Sequence, residues 1–128
     1  MTLAMYAAVA GGGALGAMLR YSVSLLTGAG FFGINGPVAT LIVNVCGSGL
    51  MGLFAGLVAG GLMVPEAWRA FIAIGLLGAL TTFSSFSLDA GALYQKQGLG
   101  MAVVYIALSL CLSLGSFALC YWRVRMPS

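Results

Sequence analysis

The sequence predicts an all-α integral membrane protein with a single domain, residues 1–128, and four transmembrane helices. Composition is the first reason: 62% of the 128 residues are hydrophobic and only 5% are charged. A soluble domain of this size could not bury so much apolar surface. The second reason is that the apolar residues form four runs, and about 20 residues suffice to cross a bilayer core. The predicted spans are residues 3–26, 38–62, 66–94 and 99–122.

The charged residues exclude several classes of protein. The net charge of +3 comes from five basic and two acidic side chains, which we interpret as interface anchors and not as a nucleic-acid patch. The chain has no histidine, the commonest metal ligand and general base. The three cysteines have no C-x-x-C spacing and are interpreted as small buried hydrophobes: Cys46, Cys111 and Cys120.

The first span carries a pair of glycines followed by a cation. Gly12 and Gly16 form a G-x-x-x-G pair, which lets helices approach closely. Arg20 follows one turn later. Its side chain either snorkels to the headgroups or lies at the mouth of an anion path. The loop that follows, residues 27–37, is rich in turn residues, and Phe31 and Phe32 are expected to dip into the interface.

The second span presents one small-residue face. Five of its residues recur at i+4 spacing and so share that face: Asn44, Ser48, Gly52, Gly56 and Gly60. The small residues favour close helix packing. An amide inside a membrane needs a partner, so Asn44 is either interhelical glue or a donor that faces an ion.

The centre of the third span has the wrong chemistry for lipid. The apolar run from Trp68 to Tyr94 would be ~40 Å long as a helix, yet residues 81–87 hold five hydroxyls and two phenylalanines. Gly75 and Gly78 precede them. We expect the helix to break at residues 78–82, which frees backbone carbonyls for an ion or substrate site. The alternative is a continuous helix whose hydroxyls bond their own i−4 carbonyls.

Two further patterns favour an ion path. Phe83 and Phe86 are three residues apart and share a helix face. In the fourth span, Tyr105, Ser109 and Ser113 form a polar stripe at i+4 spacing. Two turns beyond the hydroxyl cluster, Asp89 is expected to have a partner or water.

Four motifs in this order resemble the bacterial fluoride channel family, also called Fluc or CrcB. They are G-G-x-x-G-A-x-x-R at 12–20, T-L-x-V-N at 40–44, G-x-x-G-x-x-T-T-F-S-S-F-S at 75–87 and Y-x-x-x-S-x-x-x-S at 105–113. The resemblance covers essentially the whole chain. The third motif is specific, whereas the others would be weak alone.

The resemblance implies a dual-topology homodimer of two antiparallel copies, with two fluoride pores along the subunit interface. It also implies a structural sodium ion on the two-fold axis, held by the carbonyls of Gly78 and Thr81. The positions that match the family's pore are Asn44, Phe83 and Phe86, with the polar track at Tyr105, Ser109 and Ser113. Two departures are visible: Ala39 and Ala79 stand where many members have glycine. Ala79 puts the affinity of the ion site in doubt more than its existence.

The residue types suit a small, hard anion. A pore must replace the water of fluoride with donors that still release the ion. Neutral donors of this kind are Asn44, Thr82, Ser84, Ser109 and Ser113, and aromatic rings offer a positive edge. No relay of acids or histidines crosses the membrane. We therefore expect passive, fluoride-selective export across the bacterial cytoplasmic (inner) membrane by a lipid-embedded protein that is not an enzyme.

The competing class is a small drug/proton antiporter, which also has four short spans. Such a protein needs a carboxylate in the first span, and residues 3–26 contain no Asp or Glu. This absence argues against it.

The charges also favour antiparallel assembly. One side of the membrane would carry Arg69, Arg123 and Arg125, and the other Arg20 and Lys96. This bias is weak compared with the Lys/Arg excess that normally orients a membrane protein. We expect the glycine faces of spans one and two to offer close-packing surfaces for a partner copy.

Overall fold

A computed structural model describes residues 2–28 and 35–125. Within them, four helical spans are long and apolar enough to cross a membrane: Leu3–Leu26, Gly36–Ala59, Glu66–Gln97 and Leu99–Arg125. The predicted four-span, all-helical class is thus confirmed. The loop prediction for Phe31 and Phe32 lies outside the described residues.

Three of the spans are single helices, and in two of them local chemistry sets a boundary. The first is helix α1 (Leu3–Leu26) and the second is α2 (Gly36–Ala59). Helix α2 begins two residues before the predicted start because Pro37 sits in its first turn, where no amide bond is lost. It ends before Gly61, whose φ of 105° favours glycine. The fourth span is α6 (Leu99–Arg125), preceded by Gly98 at φ 89°.

The third span is built from several segments. It comprises α3 (Glu66–Arg69), a π-helix (Ala70–Leu77), α4 (Gly78–Leu80) and α5 (Phe83–Gln97). The π-helix, with its wider i→i+5 turn, is rare and recurs near functional sites. Nothing in the sequence pattern predicted it.

Glycines bring α1 against the π-helix. A Cβ built on Gly12 would meet the carbonyl oxygen of Phe71, and one on Gly16 would meet that of Leu76. From the opposite side, a Cβ on Gly75 would lie 2.8 Å from the carbonyl oxygen of Val9. The two backbones therefore touch directly, as a G-x-x-x-G face permits.

A second glycine contact joins α2 to α6. A Cβ on Gly52 would meet the backbone of Phe117, and one on Gly56 would meet the backbone of Tyr121. Both predicted small-residue faces are therefore occupied inside one subunit. The expectation that they offer surfaces for a partner copy is wrong, because helical spacing identifies a face but not the helix that covers it.

The buried core of the described residues is small. Val43, Leu77 and Leu80 pack together at its centre, whereas many large apolar side chains are exposed, as expected for helices that face lipid. Cys46 and Cys111 are also exposed, so the prediction that these two cysteines are buried is wrong for the single subunit.

Candidate functional site

The third span is interrupted between α4 and α5. Thr81 and Thr82 adopt extended backbone conformations, with ψ values of 155° and 125°. The Thr82 amide donates to Oδ1 of Asn44 over 2.8 Å, and Nδ2 of Asn44 donates to the Thr82 carbonyl over 3.0 Å. The Asn44 side chain thus satisfies both peptide groups of Thr82, in place of neighbours along a helix.

Hydroxyl groups cap the helix that follows. Oγ1 of Thr82 accepts from the Ser85 amide over 3.2 Å, as an N-cap residue does. The same oxygen lies 3.2 Å from Oγ of Ser84 and donates to Oγ of Ser85 over 3.2 Å. Thr81 behaves differently, since its hydroxyl bonds the Leu77 carbonyl four residues back. The alternative prediction, back-bonding to the i−4 carbonyl, therefore applies to Thr81 but not to Thr82.

A groove of about 230 Å³ opens beside this interruption. It brings together six predicted site residues from three helices and the interruption: Asn44, Thr82, Phe83, Phe86, Ser109 and Ser113. Thr81 of the predicted metal pair also lines it. Ser48 and Leu110 complete the wall, and we did not single them out from the sequence as site residues.

The aromatic residues form a continuous row. The ring centroids of Phe83 and Phe86 are 5.3 Å apart, and those of Phe86 and Tyr105 are 5.6 Å apart. Phe83 is 74% exposed on the subunit surface, whereas Phe86 is 8% exposed. One ring therefore forms part of the packed wall, and the other projects from the subunit.

Two hydroxyls in the groove have no partner. Oγ of Ser109 and Oγ of Ser113 are buried without a hydrogen bond among the described residues. A buried polar atom left unpaired is costly, so an unexplained one calls for a ligand, water or ion. This is the chemistry expected of a groove that receives a polar species.

Arg20 and Asp89 lie together in a second groove of about 270 Å³, with Thr40 and Ser85. Oδ2 of Asp89 accepts from Thr40 over 2.5 Å and from Tyr105 over 3.3 Å, which confirms that the acid has partners. Tyr105 is thus tied to Asp89 and does not line the first groove. Thr82 lines both grooves.

The predicted metal pair is divided. Gly78 is exposed on the subunit surface, whereas Thr81 lines the first groove. In an uninterrupted helix the Gly78 carbonyl would accept from the Thr82 amide, but that amide donates to Asn44. The described residues contain no group of three His, Cys, Asp or Glu side chains that could hold a metal.

Several residues that line these grooves were missed as site residues, and spacing could have indicated some of the polar ones. Thr40 and Ser48 lie four residues before and after Asn44, on its face of α2, but Ser48 was interpreted only as packing. Ser85 belongs to the hydroxyl cluster that we did single out. Leu110 carried no signal, because one leucine among many in an apolar span is not distinctive.

These features define a multi-pass membrane protein with a polar groove at the interruption of its third span. A family model described as CrcB-like protein, Camphor Resistance (CrcB), matches residues 7–121. The chain belongs to this CrcB-like family, as the sequence motifs indicated.

Curated relatives resemble nearly the whole chain. A protein of Rhodospirillum centenum is 47% identical over 114 residues, which cover 87% of each chain. One of Shewanella amazonensis is 49% identical over 106 residues, or 83% of this chain and 84% of the relative. One of Saccharophagus degradans is 44% identical over 115 residues, or 90% of this chain and 85% of the relative. Each of these relatives is named a fluoride-specific ion channel, FluC.

Proposed function

We propose that this protein is a fluoride-selective channel that exports fluoride passively across the bacterial cytoplasmic membrane. The observation that carries the proposal is the match over most of the chain to relatives named fluoride-specific ion channels. The groove chemistry agrees with it: the polar atoms are neutral amides and hydroxyls, which can replace the water of a small anion without trapping it. The protein moves an ion and transforms no substrate.

The pore is formed by the first groove. Ser109 and Ser113 offer unpaired hydroxyls, and Asn44 keeps one amide hydrogen beyond its bond to Thr82, since an NH₂ group has two. Thr82 supplies a further hydroxyl from the wall of the groove, Ser84 supplies one from the exposed surface beside it, and Phe83 and Phe86 turn ring edges to the ion. Tyr105 packs against the Phe86 ring and so supports the aromatic row at the end away from Phe83. Arg20 attracts the anion from the second groove, which shares Thr82 with the pore.

The functional unit is an antiparallel homodimer. On the third span, Gly78, Phe83, Ser84 and Ser87 are exposed on a single subunit, and a helix centre with such polar residues is unsuited to lipid. The glycine faces are already used inside the subunit, so we assign the partner to this polar surface of the third span. A two-fold axis there would build two equivalent pores.

A sodium ion on that axis would be held by the carbonyls of Gly78 and Thr81. The fit is chemical: the Gly78 carbonyl lacks the Thr82 amide as donor, and carbonyl oxygens suit a hard cation. A bound cation would fix positive charge beside the pores. Crystals grown in sodium should show density for an ion on the axis. Replacement of sodium by rubidium should add an isomorphous difference peak and an anomalous peak at the same position.

Ion flux tests the function directly. Liposomes that hold the purified protein and are loaded with potassium fluoride should empty quickly when valinomycin is added, and chloride-loaded liposomes should not. Equal rates for the two halides would remove selectivity. An absolute need for a proton gradient would remove passive conduction.

Labelling tests the topology separately. A cysteine placed at the C-terminus, with Cys46, Cys111 and Cys120 removed, should react with an impermeant reagent from both sides of the cell membrane, about half from each if the two orientations are equal. Labelling from one side alone would reject dual topology without touching the flux result.

A further inference from the structure

The C-terminal end of α6 carries a groove that faces away from the protein. It has a volume of about 490 Å³ and is lined by Ala118, Leu119, Trp122 and Arg123, all four of which are exposed. The neighbouring Phe117 and Tyr121 turn their backbones toward the glycines of α2. The groove is therefore on the outer surface of the subunit, where the apolar run of the fourth span ends.

Two arginines lie close to the Trp122 indole: Arg123 as a lining residue of the groove and Arg125 against the indole ring. The guanidinium carbon of Arg125 lies 5.7 Å from the centroid of the Trp122 ring and 5.5 Å from that of Tyr121. Its Nη1 also donates to the Tyr121 hydroxyl over 2.6 Å, which fixes the guanidinium in place and leaves further N–H donors free.

Neither cation meets a carboxylate among the described residues. The chain has two acidic residues. Asp89 is held by Thr40 and Tyr105. Glu66 begins α3, which packs on α1 and on the π-helix but not on α6. The end of α6 is thus a concentration of positive charge without a carboxylate partner among residues 2–28 and 35–125.

We propose that this groove binds an anionic phospholipid. An acyl chain lies along Ala118, Leu119 and Trp122, and the phosphodiester is bound by Arg123 and Arg125. Guanidinium groups match phosphate oxygens in charge and geometry, and tryptophan favours the level of the headgroups. A zwitterionic lipid would place its own cation beside the two arginines, so the site selects lipids such as phosphatidylglycerol over phosphatidylcholine.

The two tryptophans of the chain make the proposal measurable. The Trp68→Phe variant leaves Trp122 as the single fluorescent reporter at the groove. This variant is reconstituted in phosphatidylcholine vesicles that contain a minor fraction of brominated phosphatidylglycerol or brominated phosphatidylcholine. Bromine quenches the indole on contact, so the two quenching curves give the relative affinity of the site for the two lipids. We expect phosphatidylglycerol to be preferred by roughly five-fold or more.

Charge variants locate the preference. In the Trp68→Phe background, Arg123→Gln and Arg125→Gln should each weaken it, and together they should abolish it. Lys96→Gln is the matched control. Lys96 lies in the last turn of α5, next to the start of α6 and far from the groove at its C-terminal end, so its loss should leave the lipid preference unchanged. The preference of the parent should also fall as salt is raised from ~0.05 M to ~0.5 M, a measurement that needs no arginine variant to fold.

Three results would overturn the proposal. The first is equal quenching by the two lipids, which would mean that the groove holds bulk lipid. The second is a preference that survives both arginine substitutions or high salt. The third is no quenching of Trp122 by either lipid while Trp68 is quenched in the Trp122→Phe variant, which would mean that protein covers the groove.

Discussion

The glycine contacts and the interruption of the third span differ in how the backbone is packed: it is in close contact at the glycines and opens onto a polar groove at the interruption. Where α2 meets α6, and where α1 meets the π-helix, backbone lies on backbone with no room for a methyl group. Around Thr82, by contrast, a side-chain amide replaces main-chain bonds and two hydroxyls stay unpaired. We infer that the close glycine contacts hold the helices in place, so that the polar groove beside Thr82 persists between them.

The largest expected effect is on stability, at the close glycine contact between α2 and α6. Gly52→Leu should strongly destabilise the subunit, because its Cβ alone would meet the Phe117 backbone and overpacking of this kind costs about 1–3 kcal/mol or more. Gly115→Leu is the matched control, since a Cβ there meets nothing within 4 Å. The yield of monodisperse protein and its melting temperature are measured. Equal behaviour of the two variants would show that the α2–α6 contact is not tight.

The next effect is at the amide that spans the interruption. Asn44→Asp replaces the donor to the Thr82 carbonyl with an oxygen, so repulsion takes the place of a bond. Fluoride flux should fall by about tenfold or more, given the cost of an unmet buried group. Asn35→Asp is the control, because Asn35 makes an exposed bond to Thr27. Normal flux in Asn44→Asp would reduce Asn44 to interhelical packing.

The aromatic pair separates conduction from stability. Phe83→Ile and Phe86→Ile should both reduce flux while the dimer still assembles. Phe86→Ile should also lower the stability of the subunit itself, by about 1–2 kcal/mol, because Phe86 is buried within the subunit and Phe83 is 74% exposed on its surface. Leu114→Ile, at a position 68% exposed, controls for a branched side chain on the surface. Unchanged flux in both phenylalanine variants would leave the pair as packing residues.

The smallest effect is at the unpaired hydroxyls, and its sign is informative. Ser109→Ala and Ser113→Ala should leave stability unchanged or raise it by up to ~1 kcal/mol, since each removes a buried polar atom without a partner. Flux should nevertheless fall a few-fold. Ser87→Ala is the control, because that hydroxyl bonds the Phe83 carbonyl of its own helix. Lower stability without a change in flux would assign the two serines a structural role.

Much of this arrangement could be predicted because it depends on composition and spacing. The four spans follow from apolar length, and stripes of polar residues in apolar spans drew attention to Asn44, Ser109 and Ser113. That these three residues share one groove was implied by the family resemblance and not by spacing. Polar side chains are rare in such spans, so each one carries information.

The remainder depends on contacts between helices, which spacing does not encode. The stripe of Gly52 and Gly56 was correctly interpreted as a packing face, yet its partner is α6 of the same subunit. The π-helix likewise has no pattern of its own. Tyr105 was expected in the polar track, but Asp89 holds its hydroxyl. That pairing could be found only once the third and fourth spans were placed side by side.

The bond pair between Asn44 and Thr82 also constrains how the chain is made. Spans leave the ribosome in order, so the second reaches the membrane before the third. Before the third span docks against the second, the N–H and C=O groups of Thr82 must bond to water or to helical neighbours, because neither group can be left unpaired in lipid. We therefore expect the third span to complete its hydrogen bonds only as it docks on the second. A chain that lacks the Asn44 amide would therefore lose a contact that guides docking of the third span as well as a hydrogen-bond donor.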